Sequence, residues 1–125
     1  MKLLAALKAT NSVPLGMAMR YGTPSIESRV LELSRLPNID EILLVPLYPH
    51  YAESTIATTI AETERVLKKH ALSIKLKTLK PFYDRPEYIE ALVSSAQPWI
   101  SEPENYDHVL FSYHGLPEQH ITGTD

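Results

Sequence analysis

The chain has 125 residues, 44% of them hydrophobic and 22% charged, with a formal net charge of −3 and no cysteine. That length suits one ordinary domain with its own core, and the mildly acidic balance excludes the basic footprint of a nucleic-acid binder. Without cysteine there is no disulfide, no thiolate zinc site and no thiol nucleophile, which fits a reducing compartment.

The sequence opens in a helical pattern carried by Leu3, Leu4 and Leu7, and Asn11-Ser12 marks a turn. Val13, Leu15, Met17 and Met19 alternate with other residues and predict a first strand. After Arg20-Tyr21-Gly22, Thr23 suits an N-cap and Pro24 the first helical position, with Ile26, Val30, Leu31 and Leu33 as the apolar stripe. Pro37-Asn38 stops that helix. The continuous run Ile42-Leu43-Leu44-Val45 reads as a strand covered on both faces. Two prolines in Pro46-Leu47-Tyr48-Pro49-His50-Tyr51 preclude further ladder, and Ser54 is placed to cap a helix with Ile56, Ile60, Thr63 and Leu67 along one face.

Leu72, Ile74 and Leu76 predict a third strand, and Lys75, Lys77 and Lys80 between apolar residues give it a solvated edge. Asp84-Arg85-Pro86-Glu87 has the spacing of a capping box before the periodic Ile89, Leu92, Val93, Ala96 and Ile100, with Pro98 expected to kink or end that helix early. Tyr106 to Tyr113 predicts a fourth strand. Strands starting near residues 13, 41, 72 and 106, each pair separated by a helix, make βαβαβαβ and an α/β fold with a mostly parallel sheet. No apolar stretch has the length of a membrane span and no signal-peptide pattern opens the sequence. A soluble, cytoplasmic protein is therefore the expectation. The abrupt opening, and an ending at Ile121–Asp125 right after the most informative loop, suggest a piece of something longer.

Three strand ends carry unusual polar and aromatic residues: Met19 to Gly22, Tyr48 to Thr55, and Ser112 to Glu118. In a parallel sheet these ends share one edge, where ligands of open α/β folds bind. Arg20, Tyr48, His50, Tyr51, Ser54 and His114 are then expected to line one cleft, with aromatic walls, a fixed cation and an imidazole. Such a site suits a flat organic anion. His114 stands where Val109–Tyr113 gives way to Gly115 and Pro117; the same place also suits a histidine that merely closes a strand end.

The four glycines, at 16, 22, 115 and 123, form neither a dinucleotide fingerprint nor a P-loop. The five histidines, His50, His70, His108, His114 and His120, include no HExxH and no i,i+4 pair. His70, beside two lysines at a helix end, reads as solvated or capping. His108 reads as structural, His120 as a lesser site candidate, and His50 equally as an exposed loop residue. Glu118 is near enough in sequence to orient His114, though a solvated loop carboxylate is the commoner outcome. Ser112 with His114 lacks a nucleophile elbow and is no hydrolase signature.

Phe111-Ser112-Tyr113-His114-Gly115-Leu116-Pro117 closely resembles the signature around the active-site histidine of ferrochelatases, members of the class II chelatase family. Met19-Arg20-Tyr21-Gly22-Thr23-Pro24-Ser25-Ile26 and Pro46-Leu47-Tyr48-Pro49-His50-Tyr51, followed by Ser54-Thr55, resemble two further segments in the same order. The resemblance covers essentially the whole chain but only a middle portion of the family's. It implies insertion of Fe2+ into a porphyrin, protoporphyrin IX or coproporphyrin III, in haem biosynthesis, with iron and porphyrin as substrates and no permanently bound cofactor.

The implied fold is a pair of Rossmann-like parallel sheets with flanking helices, here incomplete: residues 1–71 as part of the first domain and 72–125 as the start of the second. By the same resemblance His114 contacts iron or accepts pyrrole protons, Arg20, Tyr21 and Tyr48 fall at the porphyrin pocket, and Ser54 lies near a porphyrin side chain. Neutral imidazole suits either task, being both a borderline metal ligand and a base near pH 7.

The family's partner glutamate lies downstream of this segment, so the chain by itself is not expected to metallate. Peripheral membrane association leaves no trace in the sequence. A related cobalt or nickel chelatase, and a non-catalytic α/β porphyrin-binding module, are the other readings.

Overall fold

The computed structural model describes residues 2–115 together with Pro117 and Glu118. Helix α1 spans Lys2–Thr10, α2 Ile26–Ser34, α3 Thr58–Lys69 and α4 Pro86–Ile100; strands β1 (Glu41–Leu44) and β2 (Lys75–Thr78) form the sheet. A π-turn over Glu53–Ala57 leads into α3, and a 3-10 turn follows α4 at Pro103–Asn105. No described helix is long and apolar enough to cross a membrane.

The two strands are parallel, in register Glu41 to Lys75, Ile42 to Leu76, Leu43 to Lys77 and Leu44 to Thr78. Joined by α3, they make one βαβ unit, the connection that parallel pairing requires. Lys75 and Lys77 are exposed while Leu76 and Thr78 are half-buried, as the alternating lysines predict. Ile42 and Leu76 turn toward the helices and pack with Leu72 and Ile74 against a core of Ile26, Val30, Val66 and Leu67. Ile26 and Val30 lie one turn apart on α2; Thr59, Thr63, Val66 and Leu67 share the facing stripe of α3. That stripe is rotated slightly from the expected one: Ile60 is only half-buried, and Val66 is fully enclosed.

Two of its members are threonines whose hydroxyls are consumed inside the helix. Thr63 Oγ1 donates to the Thr59 carbonyl at 2.9 Å and Thr59 Oγ1 to that of Thr55 at 2.8 Å. This back-bonding lets the methyl groups face the core without an unpaired polar group.

Several boundaries differ from expectation. Helix α2 begins at Ile26 with Ser25 as its cap, the Ser25 Oγ accepting from the Ser28 N–H at 3.1 Å, not at Pro24 behind Thr23. The Pro24 carbonyl is already engaged by the Met19 N–H at 2.7 Å, in an isolated Met19–Ser25 bridge. Ser54 does not cap: the turn starts from Ala52, whose carbonyl accepts from the Ala57 N–H at 3.4 Å in the i→i+5 manner of a π-turn. The capping box at Asp84 does not form either. Arg85 takes the cap position with extended dihedrals (φ −69, ψ 129) because a residue before proline is kept out of the helical region, and Pro86 becomes the first helical residue. Pro98 does not end α4, which runs to Ile100 and closes with the Ser101 N–H on the Gln97 carbonyl.

The third strand starts at Lys75, since Leu72 still belongs to the end of α3. Its N–H bonds the Leu67 carbonyl and the Ala71 N–H that of Lys68, around Ala71 at φ 49. That is a Schellman closure with alanine where glycine is usual.

The expected strands at 13–19 and 106–113 form no ladder: among the described residues the sheet has two strands, not four. Neither finds a neighbouring strand among the described residues, so Leu110 and Phe111 stay 90% and 73% exposed. Helices α1 and α4 likewise bury no residue.

An ionic cluster ties α2 to α3. The Glu27 carboxylate, in the first turn of α2, lies 2.7 Å from Lys69 Nζ, 2.6 Å from His70 Nε2 and 3.6 Å from Arg65. His70 also caps α3, as its place beside two lysines suggests. Hydrogen bonds from Lys69 and then His70 hold the Glu27 carboxyl down at about 2, below its ordinary 4.5. A carboxyl depressed in the folded state stabilises fully above its unfolded value, and that contribution fades as pH falls toward the folded one. Urea midpoints measured against pH should therefore drop between about 4.5 and about 2, and Glu27→Gln should flatten that segment. An unchanged slope in the variant would remove Glu27 from the account.

Candidate functional site

The chain leaves the C-terminal end of β1 through Pro46, which is buried, and turns at Tyr48-Pro49-His50. Two prolines within four residues forbid ladder pairing and fix φ at both positions, so the loop is stiff. The Pro49 carbonyl accepts from the N–H groups of Phe82 (3.0 Å) and Tyr83 (3.2 Å), tying this loop to the one that follows β2. The His50 ring stacks on Tyr83, centroids 5.0 Å apart and planes 11° from parallel. Phe82 meets Tyr88 of α4 edge-on at 5.4 Å.

A pocket of about 170 Å3 opens beside this loop, lined by Tyr48, Pro49, His50, Ala52, Thr55 and His114. Ala52 is 2% exposed and forms its floor at the start of the π-turn. The Thr55 hydroxyl is committed to the Ala52 carbonyl at 3.2 Å. The wall is thus mostly apolar, with two imidazoles and one phenol as its polar groups: the small set of fixed polar groups in an apolar concavity that marks a ligand site. His114 reaches it from 109–114, an exposed stretch without regular secondary structure, rather than from the end of a strand.

Of the residues singled out in the sequence, the structure therefore brings Tyr48, His50 and His114 together. Arg20, Tyr21, Tyr51 and Ser54 do not line this pocket. Arg20 is half-buried; its Nε donates to the Thr58 carbonyl at 3.1 Å and its guanidinium lies 4.5 Å above the Tyr21 ring, which is itself 77% exposed. Through Thr58 the Arg20 segment is fastened to the start of α3, three residues beyond the pocket-lining Thr55. Ser54 is exposed within the π-turn, its carbonyl accepting from the Thr58 hydroxyl at 3.2 Å.

His108 lies in a second, separate pocket with Trp99, Ile100, Tyr106 and Val109. Glu118 is exposed, and His120 falls outside the described residues. Among the described residues no group of three or more His, Asp or Glu side chains is arranged to hold a metal ion.

Ala52 and Tyr83 are not singled out by the sequence, and Pro49 and Thr55 stand out there only as parts of the runs Pro46-Leu47-Tyr48-Pro49-His50-Tyr51 and Ser54-Thr55. The signal for Tyr83 was present in Pro81-Phe82-Tyr83, an aromatic pair just past β2 and so at the same sheet edge as Tyr48.

The ferrochelatase family model matches residues 1–125. The ferrochelatase of Pseudomonas fluorescens strain SBW25 is 48% identical over 112 residues, which are 90% of this chain and 32% of that protein. That of Stutzerimonas stutzeri strain A1501 gives the same figures, and that of Pseudomonas aeruginosa strain LESB58 is 48% identical over 108 residues, 86% of this chain and 31% of the relative. No solved structure matches significantly. The chain spans about a third of the length of the curated relatives it matches. With a family match from the first residue to the last, this chain belongs to the ferrochelatase family.

Proposed function

We propose that this chain carries the histidine-bearing wall of a porphyrin metallation site, and that the protein built on it inserts Fe2+ into a porphyrin in haem biosynthesis. The observation that carries the reading is the meeting of Tyr48 and His114, from segments more than sixty residues apart, in one largely apolar pocket beside the end of β1. The relatives' shared name, ferrochelatase, favours iron over cobalt or nickel.

Metallation exchanges two pyrrole protons for one divalent ion, with no change in oxidation state. The porphyrin nitrogens must lose their protons while iron sheds water. A neutral imidazole at His114 serves by accepting a pyrrole proton or by ligating iron as it is handed over. Tyr48 and Pro49 provide a flat apolar wall for a macrocycle. Arg20, with Tyr21 under its guanidinium, supplies a cation near the start of α3 for a peripheral carboxylate, and Ser54 an exposed hydroxyl for another. Nothing in this scheme needs a nucleotide or a nucleic acid.

The pocket is open and shallow here, and a site that must exclude water from iron needs a second wall. The 125-residue chain alone is therefore expected to give no porphyrin metallation. A chimaera in which it replaces the matching segment of the Pseudomonas fluorescens SBW25 enzyme is expected to turn over. Fluorescence loss of protoporphyrin on metallation reads both. An inactive but folded chimaera would refute the function; turnover by the isolated chain at the chimaera's rate would refute the need for a second wall.

A further inference from the structure

Within that pocket, we infer that His50 is a second metal ligand: His50 and His114 form a two-imidazole divalent-cation site. The inference rests on the reading of His114 given above and adds His50 to it.

The two residues lie far apart in sequence yet line the same cavity, and its other lining groups are Tyr48, Pro49, Ala52 and Thr55. Of these only Tyr48 and the Thr55 hydroxyl are polar side chains, and Thr55 is already bonded to the Ala52 carbonyl. The imidazoles are thus the nitrogen donors on offer. A volume of about 170 Å3 admits a cation with several of its waters, at roughly 30 Å3 per water.

His50 is not a loosely swinging loop side chain. Its ring is stacked on Tyr83, and the peptide before it is pinned by two hydrogen bonds to the Pro49 carbonyl. A ligand already held in place loses little freedom when a metal arrives. Imidazole prefers late first-row ions such as Fe2+, Co2+ and Zn2+ to Mg2+ or Ca2+.

Two protein ligands fall short of the four that enclose a structural zinc. Among the described residues no third His, Asp or Glu completes a cluster here. Most coordination positions then stay with water or an incoming ligand. That is the arrangement for an ion in transit: captured, stripped of part of its hydration, and released to a stronger set of donors. His70, engaged by Glu27 at 2.6 Å, serves as an internal control for a histidine that should not respond.

Zn2+ alone, titrated into the full 125-residue chain and followed by 15N imidazole NMR and calorimetry, tests this. One site is expected, shifting the His50 and His114 rings and leaving His70 unmoved. His50→Gln and His114→Gln should each weaken binding by roughly tenfold or more, Tyr83→Phe, which keeps the stacked ring, should bind as the parent does, and Tyr83→Ala should fall between. Far-UV circular dichroism confirms that each variant is folded; His50 is exposed, so its replacement opens no cavity. Wild-type Zn2+ shifts that spare the His50 ring, or an unchanged His50→Gln affinity, overturn the inference. If His114→Gln still loses the metal in that case, the metallation reading stands without His50. If neither variant changes binding, the role of His114 as a metal ligand falls with it.

Discussion

Val66→Asp is expected to abolish cooperative folding of the chain at 25 °C. Val66 has no exposed surface, at the point where α3 meets α2 and the sheet. A carboxylate there would face Ile26, Val30 and Leu67, with no donor among them. Burying such a group unpaired costs several kcal/mol, and native domains have only about 5–15 kcal/mol in total. The core is also small, and the exposed α1 and α4 add no buried side chain to it. Val66→Ala, which only removes methyl groups, should cost about 2 kcal/mol and leave a shifted but intact transition. Thermal denaturation followed at 222 nm separates the three proteins. A Val66→Asp chain melting like its parent would mean that α3 does not pack through this face.

The second large effect concerns chemistry and not stability. In the Pseudomonas chimaera, His114→Ala should lower the metallation rate by roughly 10²–10⁴, the range spanned by loss of a positioned acid–base group. In the 125-residue chain, where His114 is exposed on a stretch without ladder bonds, the same replacement should leave the melting temperature unchanged. His108→Ala, six residues earlier in the separate pocket beside Trp99 and Ile100, should leave the rate near that of the chimaera. A His114→Ala chimaera as active as its parent would sink the metallation role. The paired comparison also guards against reading a general disturbance of 106–114 as catalysis.

What the sequence made legible follows from how local each signal is. The apolar run Ile42–Val45 and the alternating Lys75, Leu76 and Lys77 became β1 and β2 because each pattern finds its partner close by, joined through α3. The helices were legible by period, but their first residues were not. Ser25 capped instead of Thr23 because the Pro24 carbonyl was taken by Met19, and Arg85 replaced Asp84 because proline restricts its predecessor. Residues 13–19 and 106–113 show the reverse limit: a strand-forming pattern, alternating in the first and a continuous apolar run in the second, records a wish for a neighbouring strand and not its presence. At the site, Tyr48, His50 and His114 were visible as unusual residues at chain breaks. Tyr83 shows only as half of the aromatic pair Phe82-Tyr83 past β2, and its stacking on His50 is a contact across two loops that no spacing encodes. The Glu27 cluster was missed likewise: its hydrogen-bond partners Lys69 and His70 lie more than forty residues away.

The order in which the parts appear along the chain has a consequence during synthesis. Among the described residues every buried side chain lies between Ile26 and Leu67, and the last paired strand ends at Thr78. A ribosome adding about 5–20 residues per second therefore delivers the complete core, with the Tyr48–His50 loop on it, roughly 2–7 s before His114 is made. The pocket is assembled in two instalments, the wall carried by residues 48–55 first and His114 afterwards. Until that residue emerges, the nascent chain displays the Tyr48, Pro49 and His50 side of the pocket without the group proposed to do chemistry in it.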